Sequence, residues 1–440
     1  MDKRKLNTKE TIIIASTLFG MFFGAGNLIF PVSMGQQAGS NVIPAIIGFI
    51  ITGVGFPILG VAAIGMTHSD GLQDLSSKVG KKYSYIFTIA LYLTIGPFFA
   101  IPRCATTSFS SGIARLIPEG INEKLALFIF SAIFFAIVLV LSWNPGKITV
   151  SIGKVINPLF LIFLAILTVV ALITPSTKIA AVEATGDYVN QAFFKGFLEG
   201  YNTMDAIASL AFGIIVVNAI KGMGINRDED VAAGTLKSGL FAGILMAIIY
   251  VATTIMGTQS RGAFGIAANG GDALADIGTH YFGTAGLVIL ALTITLACLK
   301  TALGLVTSCA ATFSEMFPGK MSIKAWSTVF TVFSFVVSNV GLSALISYAV
   351  PVLMLLYPLT ITIILLAICD KLFKGAKPVY VCTTIGAFIA AIFDFLATLP
   401  FGIDVSFMSK ILPFYNLGLG WIVPSIIGLI VGLVISKKTN

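Results

Sequence analysis

The sequence predicts an all-α polytopic membrane protein of about twelve transmembrane helices, from its composition and from the spacing of its apolar runs. Of 440 residues, 57% are hydrophobic and 10% are charged, against about 25% charged and 45–50% apolar in a soluble domain. No soluble core hides that much apolar surface, so lipid has to cover it. Nearly uncharged runs recur along the chain, each long enough to cross roughly 30 Å of hydrocarbon. They are solidly apolar and do not alternate with polar residues, which favours helices over a barrel.

The runs lie near 11–34, 42–66, 84–112, 125–143, 148–174, 194–219, 231–257, 284–314, 322–341, 344–369, 378–400 and 413–436. The first is too long for a cleaved leader, and no small-residue cleavage site closes it. With the N-terminus inside and twelve crossings, inside segments hold 17 Lys and Arg and outside loops hold 6. That bias puts both termini in the cytoplasm of a multi-pass cell-membrane protein whose partner is the lipid bilayer. It also accounts for the net charge of +8 without nucleic acid, and no obligate protein partner is implied. The five cysteines fall in or at the ends of apolar runs without a C-x-x-C, and the histidines, His68 and His280, lie in loops. This is no redox or metal enzyme, and no cofactor is expected.

Two runs are interrupted in the same manner. The first contains Gly20-Met21-Phe22-Phe23-Gly24-Ala25-Gly26-Asn27 followed by Pro31, and the sixth contains Glu199-Gly200-Tyr201-Asn202-Thr203-Met204-Asp205. Glycine, Asn, Thr and Asp in mid-span invite unwinding, which a membrane tolerates only where the freed backbone faces protein, water or ligand. An odd number of crossings separates the two interruptions. If each opens a five-helix unit, the units enter from opposite sides, an inverted repeat with its site at the breaks. The expected units are 11–174 and 194–369, with two further helices over 378–436.

These motifs, together with Gly96-Pro97-Phe98-Phe99-Ala100-Ile101-Pro102-Arg103 in the third run, resemble the BrnQ-type branched-chain amino acid carrier family over essentially the full length. The resemblance implies a LeuT-like fold, five helices repeated in inverted order plus two, and inward symport of L-leucine, L-isoleucine and L-valine with Na+ or H+ as coupling ion. It implies that backbone N–H groups at Gly24, Ala25 and Gly26 hold the substrate carboxylate beside Asn27. Carbonyls at Phe22 and near Tyr201 and Asn202, with Asp205, would meet the ammonium. Phe98, Phe99 and Tyr201 would form the apolar cup.

In the eighth run Gly304, Thr307 and Ser308 share one helical face, and with carbonyls at Gly20 and Phe23 they could line a hard-cation site. Ionisable groups within spans are functional by default, so Lys154, Glu199 and Lys300 are coupling candidates. Lys300, one turn from Gly304, would repel a sodium ion or replace it, which leaves the ion open. A channel would show repeated polar rings and an intramembrane enzyme a nucleophile with its base or metal-ligand spacing; neither pattern is present. A transporter of another small neutral solute, or a non-transporting sensor on the same fold, stays open at this level.

Overall fold

The computed structural model describes residues 4–118, 120–143 and 161–439, and in these it is almost wholly helical. The first span is α1 (Thr8–Phe22) and α2 (Ala25–Ala38), parted by extended backbone at Phe23 and Gly24. Asn7 and Glu10 close a reciprocal cap at the start of α1, each side chain accepting from the other's backbone N–H. The second span is α3 (Val42–Ile50) and α4 (Phe56–Thr67), joined by a wide π turn at Ile51–Gly55. After the short α5 (Leu72–Ser77), the third span runs as α6 (Lys81–Leu93), a π turn over Thr94–Phe98 and α7 (Ala100–Ser110). Then come α8 (Glu123–Trp143) and, in the fifth span, α9 (Leu161–Ile173).

The sixth span is α10 (Tyr188–Glu199), a 3-10 turn at Gly200–Thr203 and α11 (Asp205–Gly222). Met204, between them, sits in the left-handed region at φ 63°, a conformation a side chain holds only where its surroundings impose it. The remaining helices are α12 (Asp228–Ser260), α13 (Gly270–Met316), α14 (Ile323–Ser338), α15 (Leu342–Ile368), α16 (Lys377–Ala397) and α17 (Ile422–Thr439). Gly283, at φ 58°, bends α13, so residues 270–282 form a short helix before the eighth span. That segment is expected as loop; Asn269 caps it by accepting from the Gly271 and Asp272 N–H groups.

Polar contacts between loops fall on the two faces that twelve crossings require. Lys78 pairs with Asp370 at 3.0 Å and His68 lies 3.7 Å from Asp228, all on the face of the N-terminus. On the opposite face Asn41 donates to the Tyr188 carbonyl, Arg115 pairs with Asp276 at 2.9 Å, and Asn269 donates to Ser343.

Span one packs parallel to span seven, from Leu6 beside Gly234 to Gln36 bonded to Ser260. Span two packs parallel to span six, from Asn41 at Tyr188 to Ile64 at Gly213. Exchanging one for six and two for seven maps one pair onto the other, as an inverted repeat demands. Both pairs touch most closely toward the face opposite the N-terminus. There Gly35 and Gly257 meet the backbone of Thr254 and Val32, and Gly48 and Gly196 meet that of Phe193 and Ala45. Only residues without a side chain allow this approach.

A Cβ on Gly48 would lie 2.7 Å from the Phe197 nitrogen, whereas one on Gly222 meets open space. Gly48→Ala is expected to lower thermal stability in detergent by about 1–3 kcal/mol, and Gly222→Ala to leave it within about 0.5 kcal/mol. Equal melting of the two variants would refute the interlock.

Candidate functional site

The two interruptions meet. Asn27, in the first turn of α2, accepts the Gly24 N–H on its Oδ1 at 3.0 Å and donates through Nδ2 to Asp205 Oδ2 at 2.5 Å and to the Tyr250 hydroxyl. Tyr250, on α12, donates to the same Asp205 oxygen at 3.1 Å. Asn27, Asp205 and Tyr250 are 2%, 3% and 1% exposed. Three side chains from spans one, six and seven therefore fix both breaks against each other.

Around this knot lies a small cavity of about 40 Å³ lined by Phe22, Gly24, Ala25, Gly26, Asn27, Arg103, Thr203, Met204 and Asp205, with Ile95, Ala208, Phe212 and Leu305 as its apolar wall. Ala25 and Gly26 belong to the first turn of α2, where N–H groups have no acceptor within the helix and the helix dipole is positive. Gly24 does not offer its N–H as expected, because Asn27 has taken it. Met21 and Phe22 end α1, so their carbonyls lack helical donors and border the same space.

The sequence reading noted Arg103 but gave it no role. It is 5% exposed and enters the cavity wall from α7, where its Nη1 donates to the Asn202 carbonyl at 2.6 Å and its Nη2 to the Thr203 carbonyl at 3.5 Å. Its guanidinium carbon lies 5.1 Å from the centre of the Phe30 ring, and Nε has no partner among the described residues. Arginine thus satisfies carbonyls that the break in span six sets free, as uncapped backbone in lipid requires, while its charge stands next to Gly26. The signal for it was a charge in mid-span; its partners lie 99 and 100 residues away. Tyr250 carried no signal, since a tyrosine in an apolar helix reads as packing.

The aromatic cup differs from expectation. Phe98 is 38% exposed and packs 5.2 Å from Phe333, and Phe99 meets Phe98 edge-on. Gly96 has non-helical φ/ψ inside the π turn, which turns Ala100 and Arg103 to the cavity in their place, beside Ile95. Tyr201 stacks on Tyr357 at 4.0 Å and, with Asn202 and Glu199, lines a different cavity beyond the break. Phe22 and Phe212, 5.6 Å apart, supply aromatic wall at the site itself.

On the N-terminal side the small cavity adjoins one of about 470 Å³, with Met21, Phe212, Thr301 and Leu305 bordering both. Gly20, Gly304, Thr307 and Ser308 gather in this vestibule together with Lys300 and Glu315. Phe23 lies apart, in a narrow space shared with Gly20 and Lys300. The Thr307 hydroxyl donates to the Leu303 and Gly304 carbonyls of its own helix at 2.9 and 3.0 Å. Its remaining lone pairs, and those of Ser308, are what could face a cation. Gly304, Ala311 and Glu315 are exposed along one face of α13, which traces the vestibule out to the N-terminal face. Lys154 falls outside the described residues.

Residues 7–439 match the family model for branched-chain amino acid transport protein. The chain is 50% identical over 443 residues to the branched-chain amino acid permease BrnQ of Lactobacillus delbrueckii subsp. lactis, covering 99% of each. Among solved structures it is similar to the nucleobase-cation-symport-1 family transporter Mhp1 in a closed conformation with bromovinylhydantoin bound, at TM-score 0.62 and 14% identity over 98% of this chain and 93% of that one. A Na+-coupled sialic acid symporter in a substrate-bound outward-open state aligns at TM-score 0.63 and 13% identity over 97% and 89%. These likenesses show a LeuT-like fold. With its two interrupted spans meeting and its full length matched, the chain belongs to the branched-chain amino acid transport protein family and is a transporter, not an enzyme.

Proposed function

We propose that this protein imports L-leucine, L-isoleucine and L-valine across the cell membrane by alternating access, with both termini in the cytoplasm and an inward gradient of Na+ or H+ as the driving force. The observation that carries the reading is the meeting of both helix breaks around one cavity lined by groups of both polarities. The Ala25 and Gly26 N–H groups and the Arg103 guanidinium suit a carboxylate. The Met21 and Phe22 carbonyls and Asp205 suit an ammonium. A branched aliphatic side chain would lie toward Ile95, Ala208, Phe212 and Leu305, all apolar.

The charged groups are common to all three substrates, so selection among them falls to the apolar wall. One methylene more or less is worth about 1–3 kcal/mol in such a wall, which suits a carrier that accepts three related side chains. In transport the five-helix units 11–174 and 194–369 would move relative to each other about the breaks. On the N-terminal side the cavity adjoins the vestibule, and on the other side the backbones of spans one and seven and of spans two and six meet at the glycine interlocks.

Gly20, Gly304, Thr307 and Ser308 with Phe23 nearby are the residues that would hold Na+. Lys300 in the same vestibule favours the second reading, in which a titrating ammonium replaces the ion and protons drive uptake. Proteoliposomes with Na+ and pH gradients imposed separately decide this. Leucine accumulation on a Na+ gradient alone, lost in Ser308→Ala, is expected for the sodium site. Accumulation on a pH gradient without Na+, lost in Lys300→Gln, selects the proton reading. Uptake with neither gradient, or no competition by isoleucine and valine, removes the proposal.

Asn27→Ala leaves the buried Asp205 short of a donor, and a Cβ on Gly24 would stand 3.1 Å from Thr301 Cγ2. Asn27→Ala and Gly24→Leu are each expected to cut leucine uptake by about 100-fold, the equivalent of roughly 3 kcal/mol, while the protein still inserts and elutes as a single species. Normal transport in either variant contradicts the site.

For Arg103, the assignment predicts that Arg103→Gln raises the leucine concentration for half-maximal binding by at least about 10-fold. Leucinol, which lacks the carboxylate, should fail to compete with leucine in the wild type. Competition by leucinol as strong as by leucine would show that no group reads the carboxylate.

A further inference from the structure

On the face opposite the N-terminus a second cavity, of about 280 Å³, lies between α10, α15, α16 and the segment before α17. It shares no lining residue with the central cavity; the break in span six divides them, with Tyr201 and Asn202 on one side and Thr203, Met204 and Asp205 on the other. Two carboxylates reach it from separate helices, Glu199 at the end of α10 and Asp394 on α16. Asp394 is 3% exposed and its Oδ2 has no hydrogen-bond partner. Among the described residues no Lys, Arg or His comes within ion-pair distance of it.

Lys195, at the rim, lies beside Glu199 and 3.7 Å from Asp187. Lys195 is thus already paired with Asp187, and an ionised Asp394 is left uncompensated at a depth where an unpaired ion is costly. The space admits several waters, so an occupant can keep part of its hydration shell. Carboxylate oxygens and water are the donors that hard cations take.

We propose that this cavity binds a monovalent metal cation, held by Asp394 and Glu199 with water completing its shell. The site is distinct from the vestibule residues of span eight and stands apart from the question of which amino acid is carried. Its position gives it a lever on the break, because Asn202, whose side chain bonds Glu199 at this cavity, presents the carbonyl that Arg103 grips.

The test uses the purified full-length protein in detergent without amino acid, melted while NaCl replaces choline chloride at constant ionic strength. The wild type is expected to gain melting temperature saturably with Na+. Asp394→Asn and Glu199→Gln should each shift half-saturation at least about tenfold upward, whereas Gly222→Ala, in open space on the face of the N-terminus, keeps the wild-type response. In choline alone Asp394→Asn should melt at or above the wild type, because the amide removes the uncompensated charge while keeping the shape.

A wild type indifferent to Na+ overturns the proposal, as does a half-saturation unchanged in both carboxylate variants. So does a melting temperature that follows pH but not Na+, which would make Asp394 a proton site. Asp394→Asn that is destabilised in choline and still responds to Na+ like the wild type would show a purely structural carboxylate.

Discussion

A single buried amide, that of Asn27, joins the two discontinuities on which this fold depends. One end of the side chain accepts the Gly24 N–H that the break in span one leaves open, and the other donates to Asp205, the first residue after the break in span six. Tyr250 braces the same carboxylate from span seven. In hydrocarbon an unsatisfied backbone or carboxylate group costs several kcal/mol, so each break is tolerable only because the other stands opposite it. The site is the place where two instabilities cancel.

Arg103 extends the same logic to carbonyls. Its guanidinium spans the Asn202 and Thr203 oxygens at the end of the 3-10 turn, and a planar fork with five donors suits two oxygens that a helix end presents side by side. A lysine would reach one oxygen at a time. The residue thereby combines two duties, closing the backbone of span six and giving the cavity a fixed positive charge next to the N-terminus of α2. Met204, held in the left-handed region between the 3-10 turn and α11, marks where the chain pays strain to bring Asp205 round to Asn27.

The breaks were legible in the sequence because they are local. Glycine at 24 and at 200, with Asn, Thr and Asp nearby, lowers helix propensity within a few residues, and the structure unwinds at those points. The spans were legible because lipid imposes a length on every crossing. What closes the site was not legible, because it is long-range: Asn27 and Asp205 are 178 residues apart, and Asn27 and Tyr250 are 223 apart. Phe98 and Phe99 were misplaced for a different reason. A helical projection carries the third span straight through, while the backbone at Gly96 leaves helical geometry and rotates every side chain after it. A single residue of changed register moves an aromatic from a cavity to lipid.

The packing of the four central spans also sets which way the site can open. Toward the face opposite the N-terminus, spans one and seven and spans two and six approach backbone to backbone at Gly35, Gly257, Gly48 and Gly196, and such close contacts have no side chains that can swing aside. Toward the N-terminal face Met21, Phe212, Leu305 and Thr301 border both the central cavity and the vestibule, so the partition there is made of side chains. To open the other side, whole helices must slide or tilt, because nothing smaller is available to move. The half-helices at the breaks, α1, α2, α10 and α11, are joined in pairs by non-helical backbone at Phe23, Gly24 and Met204 in place of helical hydrogen bonds, which is where a span can bend. The unwinding that creates the binding groups is therefore also what allows the rigid interlocks to part without unfolding a span.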